Sequence, residues 1–150
     1  MSRPAYDLSR FVDAQAHCYA RVLQELAAGE KTSHWMWFIF PQLRGLGHSA
    51  TARRFGLSGI EEACAYLAHP TLGARLRECT RTLLTVEGRT AHEIFGSPDD
   101  LKLRSCLTLF VQAAGASPAR EDQVFGEALT RYYRGEPDPL TLRLLISSAS

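Results

Sequence analysis

Hydrophobic residues recur at helical spacing along most of the chain. Apolar side chains three or four residues apart lie on one face of an α-helix, and this spacing covers residues 8–28, 58–69, 71–88, 97–114, 117–133 and 140–146. No alternating run is bounded by Asn-Gly or Asp-Gly, the usual signal of a β-hairpin. The pattern therefore predicts an all-α fold with about seven or eight helices.

The apolar faces of these helices form the predicted core. Its inward positions are Phe11, Cys18, Val22, Leu26, Ile60, Ala63, Cys64, Leu67, Leu72, Leu76, Cys79, Leu83, Leu103, Cys106, Leu107, Phe110, Ala114, Phe125, Leu129, Tyr132 and Tyr133. The four cysteines belong to these faces, which favours reduced thiols over disulfides. The chain has no linkers or tandem repeats, so we expect a single helical domain over residues 1–150.

Short polar motifs mark the predicted helix starts. Ser58-Gly-Ile-Glu61 and Thr90-Ala-His-Glu93 have the spacing of a capping box. Ser97-Pro98 offers a hydroxyl cap followed by a proline at the first helical position, and Ser117-Pro118 and Asp138-Pro139 repeat this arrangement. We therefore expect a helix to begin at each of these places, although only a short turn fits between Thr90 and Gly96.

Residues 31–47 depart from the pattern of an ordinary core helix. Both tryptophans of the chain, Trp35 and Trp37, and two of its seven phenylalanines fall within residues 35–40. A helix of this composition is buried on every side, whereas an extended strand places Trp35, Trp37 and Ile39 on one face. In both cases the stretch lies at the centre of the fold, either as core or as the lining of a pocket.

Polar residues bracket this aromatic stretch. His34 and Gln42 stand at its two edges, where a chain that leaves the core places side chains at the rim of a pocket. Histidine suits acid–base catalysis, and the glutamine amide both donates and accepts hydrogen bonds. His34 is therefore a candidate catalytic residue, and Lys31, Trp35, Trp37 and Gln42 are candidate ligand-binding residues. The alternative is that the histidine and the glutamine are structural.

A glycine-rich turn follows, with the sequence Arg44-Gly45-Leu46-Gly47-His48-Ser49, and leads into a helical stretch that carries Arg53 and Arg54. Glycines before a helix let backbone N–H groups approach a phosphate or a carboxylate. The candidate anion-binding residues are Arg44, Gly45, Gly47 and Ser49. The alternative is a flexible turn without a ligand.

The helix that starts at Ser97 is the second candidate region. Asp99 and Asp100 suit the positive end of the helix dipole, but one of them can turn inward with Lys102 within a turn of it. Asp99, Asp100 and Lys102 are therefore candidate catalytic residues, and Ser105 is a candidate ligand-binding residue near the inward face. The alternative is that these side chains only cap the helix and form a surface ion pair.

Composition narrows the classes of function. A formal net charge of +1 disfavours binding to a nucleic acid backbone. Of 17 basic residues only Lys31 and Lys102 are lysines, a bias typical of a GC-rich bacterial genome. We therefore expect these two positions to require a compact ammonium group or to be chance retentions.

Targeting and metal-binding signals are absent from the sequence. No stretch resembles a signal peptide or a membrane span, so we expect a cytoplasmic protein. No His or Cys spacing predicts a metal site, and we expect no metal and no cofactor. The oligomeric state is not predicted.

Five stretches carry a resemblance to a known family. They are Arg10-Phe11-Val12-x-Ala14-Gln15, Ser33-His34-Trp35-Met36-Trp37-Phe38-Ile39-Phe40-Pro41-Gln42-Leu43, Glu62-Ala63-x-x-Tyr66-Leu67-x-His69-Pro70-x-Leu72-Gly73-x-Arg75-Leu76, Phe95-Gly96-x-x-Asp99 and Thr108-Leu109-Phe110. Together they resemble a bacterial and fungal family, domain of unknown function number eighteen-ten, whose members are sometimes labelled calpastatin. The resemblance implies a multihelical single domain and no particular reaction. In its architecture the chain is also loosely similar to the NADAR (YbiA-like) proteins, which act on N-glycosidic bonds of ribose derivatives.

Two functional hypotheses follow. The first is a small-molecule site for a nucleotide- or ribose-like ligand, in which an aspartate positions water for hydrolysis of an N-glycosidic bond. The second is a non-enzymatic module that exposes part of the aromatic segment to a protein partner.

Overall fold

The computed structural model describes residues 6–149, with side chains as far as residue 147. This range holds ten α-helices, one short 3-10 helix and an isolated parallel β-bridge between Leu43 and Leu57. The helices are α1 (Ser9–Gln15), α2 (Tyr19–Ala28), α3 (Met36–Ile39), α4 (Ala50–Phe55), α5 (Ile60–Ala68), α6 (Leu72–Leu84), α7 (Ala91–Phe95), α8 (Asp99–Ala114), α9 (Val124–Tyr133) and α10 (Pro139–Ala149), and the 3-10 helix (Arg120–Gln123) precedes α9. Residues 1–5, where we expect no signal peptide, and residue 150 lie outside the described residues.

The all-α prediction is confirmed, although the predicted number of helices was too low. The predicted helix over residues 8–28 is two helices, α1 and α2, because Cys18 leaves the helical conformation at φ −134°. The hydrophobic pattern missed this break because Phe11 and Val22 are about three helical turns apart and face the same way in one helix or in two. Gly29 ends α2 in the left-handed conformation, at φ 71°, as its position predicted.

Helix α8 is the centre of the core. It packs against α5, α7, α9 and α10, and its residues Leu103, Leu107 and Phe110 are fully buried. The Phe110 ring contacts the rings of Tyr66 and Phe125, with centroids 5.6 and 5.8 Å apart. Because each buried leucine or phenylalanine contributes about 1.5–3 kcal/mol, this row fixes the helices that surround α8.

Most of the predicted inward positions are buried, but Cys64 is a clear exception. Its side chain is exposed, because α5 turns Glu62, Ala63, Tyr66 and Leu67 toward the core instead. The other predicted positions that are only half-buried are Cys18, Ile60, Ala114, Tyr132 and Tyr133. All four thiols are unpaired, and burial raises the pKa of each.

The predicted helix caps divide into those that form and those that do not. The Thr90 capping box is confirmed, with reciprocal bonds of 3.1 and 2.8 Å between Thr90 and Glu93. The Ser58 box is wrong, because the Ser58 N–H donates to Glu62 Oε1 at 2.8 Å and Gly59 holds the N-cap position. The Ser97 hydroxyl does not cap α8 either, because Pro98 occupies the N-cap.

Candidate functional site

A buried carboxylate fixes the loop before the aromatic segment. Glu25 accepts hydrogen bonds from the Thr32 N–H at 2.8 Å, the Ser33 N–H and Oγ at 3.0 and 2.7 Å, and Trp35 Nε1 at 2.9 Å. Burial raises the pKa of the Glu25 carboxyl, but these hydrogen bonds outweigh burial and lower the pKa to about 2. Glu25 was not among the residues predicted from the sequence, although its spacing from Val22 places it on the buried face of α2.

Both lysines of the chain meet at one carboxylate. Lys31 Nζ lies 2.9 Å from Asp99 Oδ2 and donates to the Ser33 carbonyl at 2.6 Å. Lys102 Nζ lies 3.7 Å from Asp99 Oδ1. The Lys31 side chain is 7% exposed and the Lys102 side chain 25%, so the first lysine is enclosed and the second reaches solvent. Asp99 therefore holds Lys31 closely and Lys102 loosely.

Each lysine also lies over one of the two tryptophans. Lys31 Nζ is 5.0 Å from the centre of the Trp35 ring, and Lys102 Nζ is 4.8 Å from the centre of the Trp37 ring. Both distances allow attraction between the cation and the ring face. Trp35 is fully buried, whereas Trp37 is half-buried. We call these four residues and Asp99 the lysine–tryptophan cluster.

A cavity of about 520 Å³ opens beside this cluster. It is lined by Trp37, Gln42, Leu46, Gly47, His48, Ser49, Ala52, Pro98, Leu101, Lys102, Ser105, Asp138 and Leu140. The volume falls in the usual range of small-molecule sites. We call it the tryptophan cavity. Of the candidates from the sequence, it brings together Trp37, Gln42, Gly47, Ser49, Lys102 and Ser105.

The other candidate residues lie outside this lining. His34 is exposed and stands apart from the cavity, and Asp100 places Oδ2 3.2 Å from Nδ1 of the exposed His92. Arg44 lines a separate depression on the surface. Gly45, the next residue, lies in the turn that follows and has a positive φ of 104°. The remaining candidates, Lys31, Trp35 and Asp99, belong to the cluster but not to the cavity lining.

Asp138 also lines the cavity, although from the sequence it was predicted only as a helix cap. Its Oδ2 accepts hydrogen bonds from Ser105 Oγ at 2.8 Å and from Thr141 Oγ1 and N at 2.5 and 3.3 Å. Its N–H donates to Thr108 Oγ1 at 2.8 Å. Burial raises the pKa of the Asp138 carboxyl, but the bonds from Thr141 and Ser105 outweigh it and lower the pKa. The cavity therefore contains a carboxylate that is ionised at neutral pH.

Gln42 is placed by the isolated β-bridge. Its carbonyl accepts the Leu57 N–H at 2.9 Å, and the Leu57 carbonyl accepts the Arg44 N–H at 2.8 Å. The Gln42 side-chain amide has no hydrogen-bond partner within residues 6–149. A Cβ atom at Gly47 would lie 2.8 Å from the Ala52 Cβ, so only glycine lets this turn approach α4. The amide is thus held beside the cavity and left available.

A larger hollow, of about 570 Å³, lies at the C-terminal half of α8 and along α9. Two of its three charged residues are engaged, because Asp122 Oδ1 bonds Arg77 Nε at 2.6 Å and Arg131 donates to the Val86 carbonyl at 2.7 Å. The third, Glu127, has no ion pair within the described residues, so this hollow offers an anionic group and no free cation. The tryptophan cavity is smaller, but it places an accessible ammonium group beside an aromatic ring, which the larger hollow does not. We therefore take the tryptophan cavity as the candidate functional site.

Two further observations concern metals and membranes. In the described part of the chain, no three His, Cys, Asp or Glu side chains are grouped closely enough to hold a metal ion. Among the helices of residues 6–149, none combines the length and the apolar character that crossing a membrane requires.

Comparisons with known proteins identify the family. The family described as "Protein of unknown function (DUF1810)" matches residues 5–145. The crystal structure of the conserved hypothetical protein Rv1873 from Mycobacterium tuberculosis is 53% identical to this chain, with a TM-score of 0.88, and the match covers 94% of this chain and 97% of that chain. No curated protein matches, and the similarity to NADAR proteins finds no support. The chain therefore belongs to the family described as protein of unknown function DUF1810, as its sequence motifs predicted.

Proposed function

We propose that the tryptophan cavity binds a small anionic molecule with a flat ring, of the nucleotide or ribose-phosphate type. The observation that carries this proposal is the wall formed by Trp37 and Lys102, where an aromatic ring and a cation lie 4.8 Å apart beside a cavity of about 520 Å³. A nucleotide offers the complementary pair, a ring for the indole and a phosphate for the ammonium group.

The charges of the cluster favour an anionic group at the Lys102 wall, whereas the Asp138 carboxylate in the same lining offsets the Lys102 charge over the cavity as a whole. Two ammonium groups share the single carboxylate of Asp99, so the cluster has a net charge of +1. Lys31 is the closer partner of Asp99, at 2.9 Å against 3.7 Å for Lys102. A phosphate that approaches Lys102 therefore gains a charge-assisted hydrogen bond without leaving Asp99 unpaired.

Gln42 supplies polar recognition on the same wall. A primary amide donates and accepts hydrogen bonds at once, which suits the edge of a nucleobase or a carboxamide. The rest of the lining is largely apolar, and Leu101 and Leu140 at its rim are 59% and 45% exposed. A ring that enters between them would cover apolar surface and bring a polar edge to Gln42.

Hydrolysis of an N-glycosidic bond is a second candidate, and the Asp138 carboxylate in the cavity favours it. In such a reaction a water oxygen bonds to the anomeric carbon, the carbon–nitrogen bond breaks, and a water proton passes to the leaving nitrogen. An ionised carboxylate stabilises the positive charge that develops on the sugar. This role moves from Asp99 and Asp100, which do not line the cavity, to Asp138.

Calorimetric titration with ADP-ribose, NAD and AMP tests the proposal. We expect at least one of them to bind the wild-type chain and to raise its melting temperature, because a ligand specific to the folded state stabilises it. Lys102→Gln should weaken that binding about tenfold or more, which corresponds to about 1.4 kcal/mol. Arg21→Gln, which removes the same charge from an exposed position of α2, is the matched control.

Chromatography of the same mixtures tests hydrolysis. Release of a free base or of nicotinamide that is lost in Asp138→Asn would support the second candidate, and binding without release would reject it. If none of the three compounds binds, the ligand proposal fails and the hypothesis of a protein-interaction module takes its place.

A further inference from the structure

A second depression, of about 510 Å³, lies between α1 and the C-terminal end of α4. It is lined by Tyr6, Asp7, Arg10, Arg44, Arg53, Arg54, Ser58 and Glu62. Four guanidinium groups and two carboxylates line it, so it has a net charge of +2, whereas the whole chain has a formal charge of +1. We call it the arginine depression.

One ion pair builds the floor of this depression. Arg10 NH2 lies 3.1 Å from Glu62 Oε2, and the same side chain donates to the carbonyls of Arg54 at 2.6 Å and Gly56 at 3.2 Å. A further bond joins Arg10 to the Asp7 carbonyl. Arg10 is therefore committed to structure, and its charge is neutralised by Glu62.

The other arginines keep free donors. Arg44 donates one hydrogen bond, to the Gly56 carbonyl at 3.2 Å, and is an exposed residue. The Arg53 side chain has no hydrogen-bond partner within the described residues, and Arg54 lies over the Phe55 ring at 5.4 Å. Each planar guanidinium group can still present paired N–H groups to an oxyanion.

The arginine depression and the tryptophan cavity lie on two sides of the same stretch of chain. Successive residues of an α-helix are rotated by about 100°, so Ala52 on α4 lines the cavity while Arg53 and Arg54 line the depression. Gln42 lines the cavity and Arg44 the depression, with the buried Leu43 between them. The two hollows share none of their lining residues.

We propose that the arginine depression is a separate binding site for a phosphate-type oxyanion, either free or carried by a small phosphate ester. The proposal rests on three arginines with free donors in a concave surface, and it is independent of the function proposed for the tryptophan cavity. Arginine is suited to this task because its fork of N–H groups matches two oxygens of a phosphate. The glycine turn does not take part, since neither Gly45 nor Gly47 lines the depression.

A nitrogen–proton NMR titration with inorganic pyrophosphate tests this proposal. Pyrophosphate has no ring to stack on Trp37, and any contact that it makes with Lys102 in the tryptophan cavity would be seen as shifts around Trp37. We expect saturable shifts in the backbone signals around Arg44 and Arg53 and none around Trp37. Glucose 6-phosphate is titrated in parallel, and the tighter of the two ligands identifies whether the site prefers a free oxyanion or an ester.

The variants are designed to keep the fold. Arg44→Gln with Arg53→Gln should weaken pyrophosphate binding at least tenfold, and the double lysine variant, which keeps the charge but loses the fork, should show a smaller loss. Arg81→Gln, at an exposed position of α6, is the control for charge alone. Equal affinities for the wild type and the glutamine variant, shifts confined to the tryptophan cavity, or no saturable shift would each overturn the proposal and leave these arginines as solvated surface residues.

Discussion

The two lysine–tryptophan pairs have the same chemistry in different surroundings. Lys31 lies 5.0 Å from the Trp35 ring and Lys102 lies 4.8 Å from the Trp37 ring, and both lysines share Asp99. The first pair is enclosed, because Glu25 binds the Trp35 indole and the Lys31 side chain is 7% exposed. The second pair forms a wall of the tryptophan cavity.

This difference separates a structural role from a functional one. The enclosed pair has its polar atoms satisfied within the protein, so it is suited to hold the loop before α3 against the start of α8. The open pair retains a loosely held ammonium group and a partly exposed ring. The same two residue types thus stabilise the fold in one place and are available to a ligand in the other.

Truncation of each tryptophan to alanine should give the largest difference in stability between the enclosed pair and the open pair. Trp35→Ala should lower the free energy of unfolding by about 3–5 kcal/mol, because it leaves a cavity among buried rings. Trp37→Ala should cost less, about 1 kcal/mol, because its side chain is only partly buried. Urea unfolding measures both values, and equal losses would contradict the division into an enclosed pair and an open pair.

The Glu25 carboxylate should give the next largest effect. Glu25→Gln should cost about 2–3 kcal/mol at neutral pH, because a charged acceptor serves several donors of the Lys31–Trp35 loop. The folded pKa of about 2 lies below the ordinary value of 4.5, so this stabilisation is complete above about pH 4.5 and is lost as the pH falls toward 2.

Urea midpoints of the wild type and Glu25→Gln, compared from about pH 6 to about pH 3, check the sign of this effect. We expect the gap between the two midpoints to narrow as the pH falls. A gap that stays constant or widens would show that the carboxylate charge does not hold the loop. Glu30→Gln, at an exposed neighbouring position, serves as the control.

Replacement of each lysine by methionine should give a smaller difference in stability between the enclosed pair and the open pair. Lys31→Met should cost about 2 kcal/mol, because it removes the close partner of a largely buried carboxylate. Lys102→Met should cost less than about 1 kcal/mol, because its contact with Asp99 is long and partly solvated. Thermal unfolding shows which of the two variants loses more stability. A larger loss in Lys102→Met would mean that Lys102 is the structural lysine.

Loss of the Ser105 hydroxyl should give a small effect on stability. Ser105→Ala removes one hydrogen bond to Asp138 and should cost about 1 kcal/mol. It should also raise the pKa of Asp138, because one of the bonds that lower this pKa is lost. Carbon-detected NMR of the Asp138 carboxyl measures the shift, and an unchanged pKa would remove Ser105 from this network.

The sequence predicted those features that depend on local spacing. The Thr90 capping box and the left-handed Gly29 were found because each requires only residues a few positions apart. The break between α1 and α2 was not found, because the inward positions keep the same face on both sides of it. The importance of the two lysines was suggested by composition, but their common partner, Asp99, is set by how the helices pack.

The candidate site was only partly predicted, because its assembly depends on how the helices pack. Trp37, Gln42 and Lys102 were named from the sequence, and they line one cavity. Asp138 was interpreted only as a cap, because its bond to Ser105 joins residues on separate helices. Arg44 was grouped with Gln42, because their closeness in the sequence does not show that the two side chains line different hollows.

Tryptophan fluorescence offers the most direct test of the central claim, because the chain has only two tryptophans. In Trp35→Phe the emission comes from Trp37, and in Trp37→Phe it comes from Trp35. Titration with ADP-ribose, or with whichever compound binds best, should quench the Trp37 emission in a saturable way and leave the Trp35 emission unchanged. Saturable quenching of Trp35 alone, or of neither tryptophan, would contradict the claim that Trp37 and Lys102 form the wall of a ligand site.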